Sequence, residues 1–171
     1  MTQILKRSTV TLLAVPILAV LLLSADTQPA IHVAPMNTVG PRPVETQTQS
    51  SVIRDYLLAW QSMNAALSEN RVDVVDASFV GQARERLINT IREQQNIGIR
   101  TSYQDKSHNI KVLFYSPEGL SIQLTDEVEY DVDVQNGDHA LGSQPVHARY
   151  VAVLTPTESK WKVRVFQGGT P

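Results

Sequence analysis

A chain of 171 residues that is 42% hydrophobic and 19% charged holds enough apolar material for one ordinary domain plus a short appendage, and too little for two full cores. Its formal net charge of −2, with no long basic run, removes the electrostatic footprint of a nucleic-acid binder. The absence of cysteine excludes a disulfide framework, a thiolate-bound metal, a thiol nucleophile and a lipidated amino-terminal cysteine.

In chain order, Lys6 and Arg7 precede an apolar run from Val10 to Leu23 that only Thr11 and Pro16 interrupt. Its length falls between the apolar core of a signal peptide and the ~20 residues that span a bilayer. A cut after Ala25 would leave Leu23 at the third-last place, where a cleavable peptide wants a small residue. Residues 1–25 are therefore expected to form an uncleaved anchor, with the positive charges inside and the rest of the chain on the periplasmic side. Secretion after cleavage is the alternative.

Residues 26–50 carry Pro29, Pro35, Pro41 and Pro43 among many Thr and Gln, without apolar periodicity. This composition predicts a tether. From Ser51 the pattern changes. Ser50 or Ser51 can cap a helix whose Ile53, Tyr56, Leu57, Trp60, Met63 and Leu67 keep the three- and four-residue spacing of one buried face. Asn70 is expected to cap a short second helix through Val72, Val75 and Ala77. A third spans about Gln82 to Ile97, with Ala83, Leu87, Ile88 and Ile91 inward and Gly98 as its left-handed stop.

After Gly98 the period falls to two. Strands are expected over Ile99 to Gln104, Ile110 to Ser116, Leu120 to Val134, Val146 to Thr155 and Trp161 to Gln167, with a Pro117-Glu118-Gly119 hairpin turn. Asn136-Gly137 is a further turn signal, but Gly142 and Pro145 point to a longer loop before the next strand. In the long central strand Leu120, Ile122, Leu124, Val128, Tyr130, Val132 and Val134 share one face. Glu127, Glu129, Asp131 and Asp133 share the other, a carboxylate row about 6 to 7 Å apart that only water or a basic partner can accept.

Helices followed by strands specify an α+β fold: three amino-terminal helices packed on a curved, mostly antiparallel sheet of four to five strands, preceded by one membrane-targeting helix. The element order, the Tyr- and Trp-bearing first helix and the terminal strand Lys160-Trp161-Lys162-Val163-Arg164-Val165 resemble the nuclear transport factor 2-like, or cystatin-like cone, superfamily. The resemblance covers about Ser51 to Gln167. The membrane-tethered version is similar to intermembrane-space domains of division proteins and to periplasmic domains of secretion-assembly and Mce-associated proteins. It implies protein assembly more often than catalysis.

The apolar row of the central strand breaks at Asp126. A bulge that turns Asp126 outward is the expected reading, because one off-pattern residue is how bulges announce themselves. If Asp126 faces inward, the resemblance implies a place in the cone, where desolvation would suit it to general-base work, with Tyr56 and Tyr103 as cavity hydroxyls. Tyr130 and Tyr150 could line the same space. His32, His108, His139 and His147 are scattered without metal-ligand spacing, so no metal or other cofactor is expected. The run Asp131 to Asp138 fails as a calcium loop, since Gly137 comes one residue late and position twelve is Gly142.

The leading expectation is thus a membrane-anchored extracytoplasmic domain that binds or scaffolds another envelope protein without catalysis. Glu127, Glu129, Asp131 and Asp133 are its candidate docking face, and the membrane is contacted through the amino-terminal helix. Homo-oligomerisation is left open, and nucleic acid is not expected as a partner. The alternative is a small-ligand-binding or isomerase-like enzyme with Asp126, Tyr56 and Tyr103 at its centre.

Overall fold

The period-two pattern of the central strand sets the architecture, because its apolar face needs strands beside it and a layer over it. The computed structural model describes residues 28–35 and 41–169. Its sheet runs in the order β1 (Ala30–Val33), β2 (Ile99–Tyr115), β3 (Ile122–Asn136), β4 (His139–Pro156) and β5 (Trp161–Gly169). β2 to β5 form an antiparallel meander, and β1 lies parallel to β2 at the edge. Helices α1 (Thr46–Ser68) and α2 (Gly81–Ile97) cover one face.

On β3, Ile122, Leu124, Val128 and Tyr130 are buried, whereas Glu127 and Glu129 are exposed. The alternation therefore holds over the middle of the strand. α1 buries Val52, Tyr56, Ala59, Trp60, Met63, Ala66 and Leu67 against this face, and α2 adds Ala83, Leu87, Ile88 and Ile91. Gly98 ends α2 at φ 73°, the left-handed conformation expected of it, and its N–H donates to the Gln94 and Gln95 carbonyls.

Strand edges are closed by different devices. The Asn64 side chain donates to the Tyr103 carbonyl at 2.8 Å and accepts from the Tyr103 N–H at 2.7 Å, standing in for a neighbouring strand. Asn70 donates to the Ile99 carbonyl at 2.8 Å. On the far side, Val163 of β5 exchanges backbone bonds with Ser78 and Val80, both 2.9 Å.

Four expectations need correction. There are two α-helices rather than three among the described residues, because Val75–Ala77 is a single 3-10 turn. Asn70 takes a positive φ of 53° and commits its side chain to β2, so it ends α1 instead of starting a helix. Next, the expected tether contributes structure. β1 needs no core of its own because it borrows backbone partners from Ser107 to Ile110, and α1 starts at Thr46 with Glu45, not a serine, at the cap. Arg42 lies over the Tyr115 ring at 5.0 Å, and Val44 is buried.

Third, β2 is one strand where two were expected. The polar stretch that hid its continuity contains a register shift between Asp105 and Ser107 and an inward histidine. Fourth, a two-residue turn, Gly137-Asp138, replaces the long loop. Gly137 has φ 57°, the positive φ that glycine supplies at the first central position of a tight hairpin turn. Leu120 precedes β3 and is exposed. The expected membrane run lies outside the described residues. Among those described, no helix is long and apolar enough to cross a membrane.

Candidate functional site

Asp126 faces the core. Pairing on both sides is in register through this position, with Ile110 on β2 and Tyr150 on β4, so no bulge turns it out. Its exposure is 0%. A bare carboxylate there would be strongly disfavoured, and the surrounding elements answer that cost with donors. Tyr56 of α1 donates its hydroxyl to Asp126 Oδ2 at 3.0 Å, and His108 Nδ1 lies 2.7 Å from the same oxygen. Because Ile110 is directly opposite Asp126, His108 is its diagonal neighbour on the same face, within reach of a long side chain.

Trp60, one turn after Tyr56 on α1, places its indole N–H 2.9 Å from His108 Nδ1. One ring nitrogen holds either a proton or a lone pair, so the contacts of Nδ1 with Trp60 and with Asp126 are alternatives. In the imidazolium, Nδ1–H donates to Asp126. In the neutral form with the proton on Nε2, Nδ1 accepts from Trp60 and turns a lone pair towards the carboxylate. Asp105 Oδ2 lies 3.7 Å from Nε2, so a second carboxylate favours the charged ring. Burial opposes that charge, yet the bonds and charges of Asp105 and Asp126 outweigh it and push the His108 pKa up to about 9.

The hydroxyls are held neutral. Burial first, and then Asp126, raise Tyr56 well above its ordinary value. Burial and the neighbouring Tyr130 push Tyr103 up to about 12, and Tyr150, bonded to the Tyr130 hydroxyl at 2.9 Å, is raised too. These groups can donate hydrogen bonds near neutral pH but do not act as bases. Asp126 Oδ1 and Asp105 Oδ1 are both buried without a hydrogen-bond partner.

A cleft of about 190 Å³ opens between α1, α2 and the sheet, lined by Met63, Leu67, Phe79, Leu87, Tyr103, Tyr150 and Phe166, with Arg86 and Thr90 on α2. Of the candidate side chains, Tyr103 and Tyr150 line this cleft. Asp126 and Tyr56 do not. The Trp60 ring packs against Tyr103, Tyr150, Phe166 and His108 with centroids 5.1 to 6.2 Å away.

The carboxylate row lies on the opposite, outward face and is partly compensated. Lys106 Nζ meets Asp131 at 2.6 Å, Gln104 donates to Asp133 at 2.8 Å, and Ser107 to Glu129 at 3.4 Å. Arg149 is directly opposite Glu127. Of the other histidines, His147 faces Glu129 across β4, His139 opens β4, and His32 is in β1.

Sequence reading missed His108, Trp60 and Asp105 as members of one cluster. The available signal was two polar residues, His108 and Asp126, each at an inward position of its strand.

No family model matches the chain, and no curated protein matches it. Solved structures do. The intermembrane-space region of the chloroplast protein ARC6 superposes with a TM-score of 0.60 at 10% identity, over 76% of this chain and 100% of that one. A putative scytalone dehydratase from Novosphingobium aromaticivorans gives 0.53 at 15% identity, over 74% and 89%. A putative dehydratase of the NTF2-like family from Streptomyces avermitilis gives 0.51 at 9%, over 71% and 98%. These identities speak to architecture alone, and on that level the chain has the NTF2-like, cystatin-like cone fold.

Proposed function

We propose that this chain is a membrane-tethered domain that works outside the cytoplasm by binding another envelope protein, without chemistry of its own. The observation that carries the reading is how the proton-bearing cluster uses its contacts. Tyr56, Asp126, His108 and Trp60 point at one another inside the core, and none of the four lines the aromatic cleft. That cleft, at about 190 Å³, is also below the roughly 300–1,000 Å³ of ordinary small-molecule sites. Surface offered to a macromolecule is ample by contrast, since β4 from His139 to Pro145 is exposed throughout. The fold's occurrence in an intermembrane-space region lends support to a site outside the cytoplasm.

The test is crosslinking of the full-length chain in its own membranes. One defined envelope partner is expected, captured equally well by wild type and by Tyr103→Phe, which alters the cleft. The chain itself should resist carbonate extraction. Recovery of a soluble form starting near Asp26 would refute the anchor, and the lack of a crosslinked partner would refute the binding role.

The inward position of Asp126 favours a second reading, an isomerase-like enzyme of the cone. It requires the aromatic wall of the cleft, which includes Tyr150 and Phe166, to open and admit substrate to Asp126 and His108. Saturable binding of a small apolar ligand that quenches Trp60 fluorescence, lost in Tyr103→Phe, would establish it in place of the first.

A further inference from the structure

β4 is longer than the strand that covers it. β5 pairs with β4 only from Arg149 onward, starting at Gly169. Among the described residues, nothing pairs with β4 from His139 to Ala148 on the side away from β3. The other edges are shorter or are met by Asn64, Asn70, β1 and the Ser78 to Val80 segment. A bare strand edge is a template for one more strand.

The two faces flanking this edge differ in chemistry. On the side continuous with the core, Val132, Val134, Leu141, Gly142 and Gln144 border a groove of about 380 Å³, and the Leu141 side chain is 60% exposed. Gly142 adds to the hollow, for a methyl there would meet nothing within 4 Å. On the outward side, Ser143 and Pro145 lie opposite Asp133 and Asp131, and His147 lies opposite Glu129. Among the described residues, Lys106 pairs with Asp131, while Asp133 and Glu129 have only the Gln104 amide and the Ser107 hydroxyl. Strands are spaced about 4.8 Å apart, so an added strand lies about 10 Å from β3. Across residues as short as Ser143 and Pro145, an extended lysine or arginine reaches Asp133 and Asp131, and beside the His147 ring it approaches Glu129.

We propose that this edge, from Leu141 beside a register shift to His147 and with one donor missing at Pro145, accepts an extended segment of the partner protein as a sixth strand. That segment carries lysine or arginine at alternate positions, towards Glu129 and Asp133, with apolar residues between them for the groove at Leu141. The proposal rests on the binding role argued above and names the chemistry of the partner.

The probe is an end-blocked hexapeptide alternating Lys and Val, titrated into the full-length chain in neutral detergent, with a Glu–Val peptide as its control. The Lys–Val peptide should bind, slow hydrogen exchange of the β4 edge amides at least tenfold, and weaken as salt is raised. Glu129→Gln with Asp133→Asn should lower its affinity about fivefold at low salt, the sum of two exposed ion pairs. Ser143→Lys, an exposed change that places a cation over Asp133, should do the same without altering the fold.

Binding of the Lys–Val peptide with no protection along β4 would mean adsorption to the acidic face and would overturn the edge. Equal binding of the Glu–Val peptide would also overturn it. So would self-association of the chain that Ser143→Lys abolishes, because that assigns the edge to a second copy. A crosslinked membrane partner retained in full by Ser143→Lys would sink this proposal while leaving the broader binding role intact.

Discussion

The charge on His108 gives the fold a pH dependence whose size follows from the cluster. In the unfolded chain an imidazole titrates near its ordinary 6.5, and in the folded one Asp105 and Asp126 hold it up to about 9 against the cost of burial. At about 1.4 kcal/mol per pH unit, that separation is worth about 3 kcal/mol. A folded pKa above the unfolded one means the stabilisation is complete below 6.5 and is lost as pH rises through 9. Tyr56, Tyr103 and Tyr150, all raised, stay neutral in the folded chain, and the small slope from their unfolded ionisation near 10 is common to wild type and variant. The assay is urea unfolding of wild type and His108→Gln at intervals from about pH 6 to about pH 9.5, with the ring Cε1 proton followed by NMR. The stability difference between the two proteins should shrink by about 3 kcal/mol over that range, and the ring should titrate near 9. A ring that titrates at or below 6.5, or a difference that stays flat, would refute the ion-paired cluster.

Further substitutions probe the frame around it and the outward face of β3. In Gly168→Ala the new methyl meets Tyr150 Cε1 at 2.9 Å, and that ring is stacked on Phe166 at 4.7 Å, so melting should reveal a loss of about 1–3 kcal/mol. Gly169→Ala, with nothing within 4 Å, is the neutral control. Asn64→Ala removes both bonds to the Tyr103 backbone and should cost about 1–3 kcal/mol, with faster hydrogen exchange at the Tyr103 amide. Glu129→Gln with Asp131→Asn removes like-charge repulsion along β3 but also the exposed Lys106 pair, so chemical denaturation should show a change within about 1 kcal/mol.

Helix α1, helix α2 and the β3 alternation were legible because each buries one face at its own period, and burial of that face writes the period into the sequence. Gly98 was legible as a stop for a backbone reason. What escaped shares one cause: the deciding contact lies far away in sequence. β1 has no amphipathic signature because its partner is the backbone of β2, more than seventy residues away, with Ala30 paired to Ser107. The 3-10 turn at Val75 follows from where Asn70 spends its side chain, on the Ile99 carbonyl. Asp126 broke the apolar row for the same reason. Its inward position is stable only with a tyrosine from α1 and a histidine from β2, and no local pattern contains either. Glycine and proline after Asn136 suggested a loop, yet Pro145 is accommodated on a strand whose other edge has no partner among the described residues.

The cluster also bears on why α1 sits in one place on the sheet. Apolar side chains tolerate a shifted neighbour of similar volume, so the Val52 to Leu67 face alone specifies the helix position only loosely. Tyr56 and Trp60 are a turn apart on that face and meet groups on two different strands: Tyr56 donates to Asp126 of β3, and the Trp60 ring packs edge-on against His108 of β2. A slide of α1 by one residue would rotate both side chains away at once and leave a carboxylate with 0% exposure without its tyrosine donor. Removing one partner of a buried ionic group costs about 3–5 kcal/mol, comparable to the whole contribution of two or three buried aliphatic side chains. Asn64, one turn beyond Trp60 on the same side of the helix, reinforces that register through its paired bonds to the Tyr103 backbone. Buried polarity here selects one packing among several of similar apolar content, and it does so with groups engaged with one another across α1, β2 and β3.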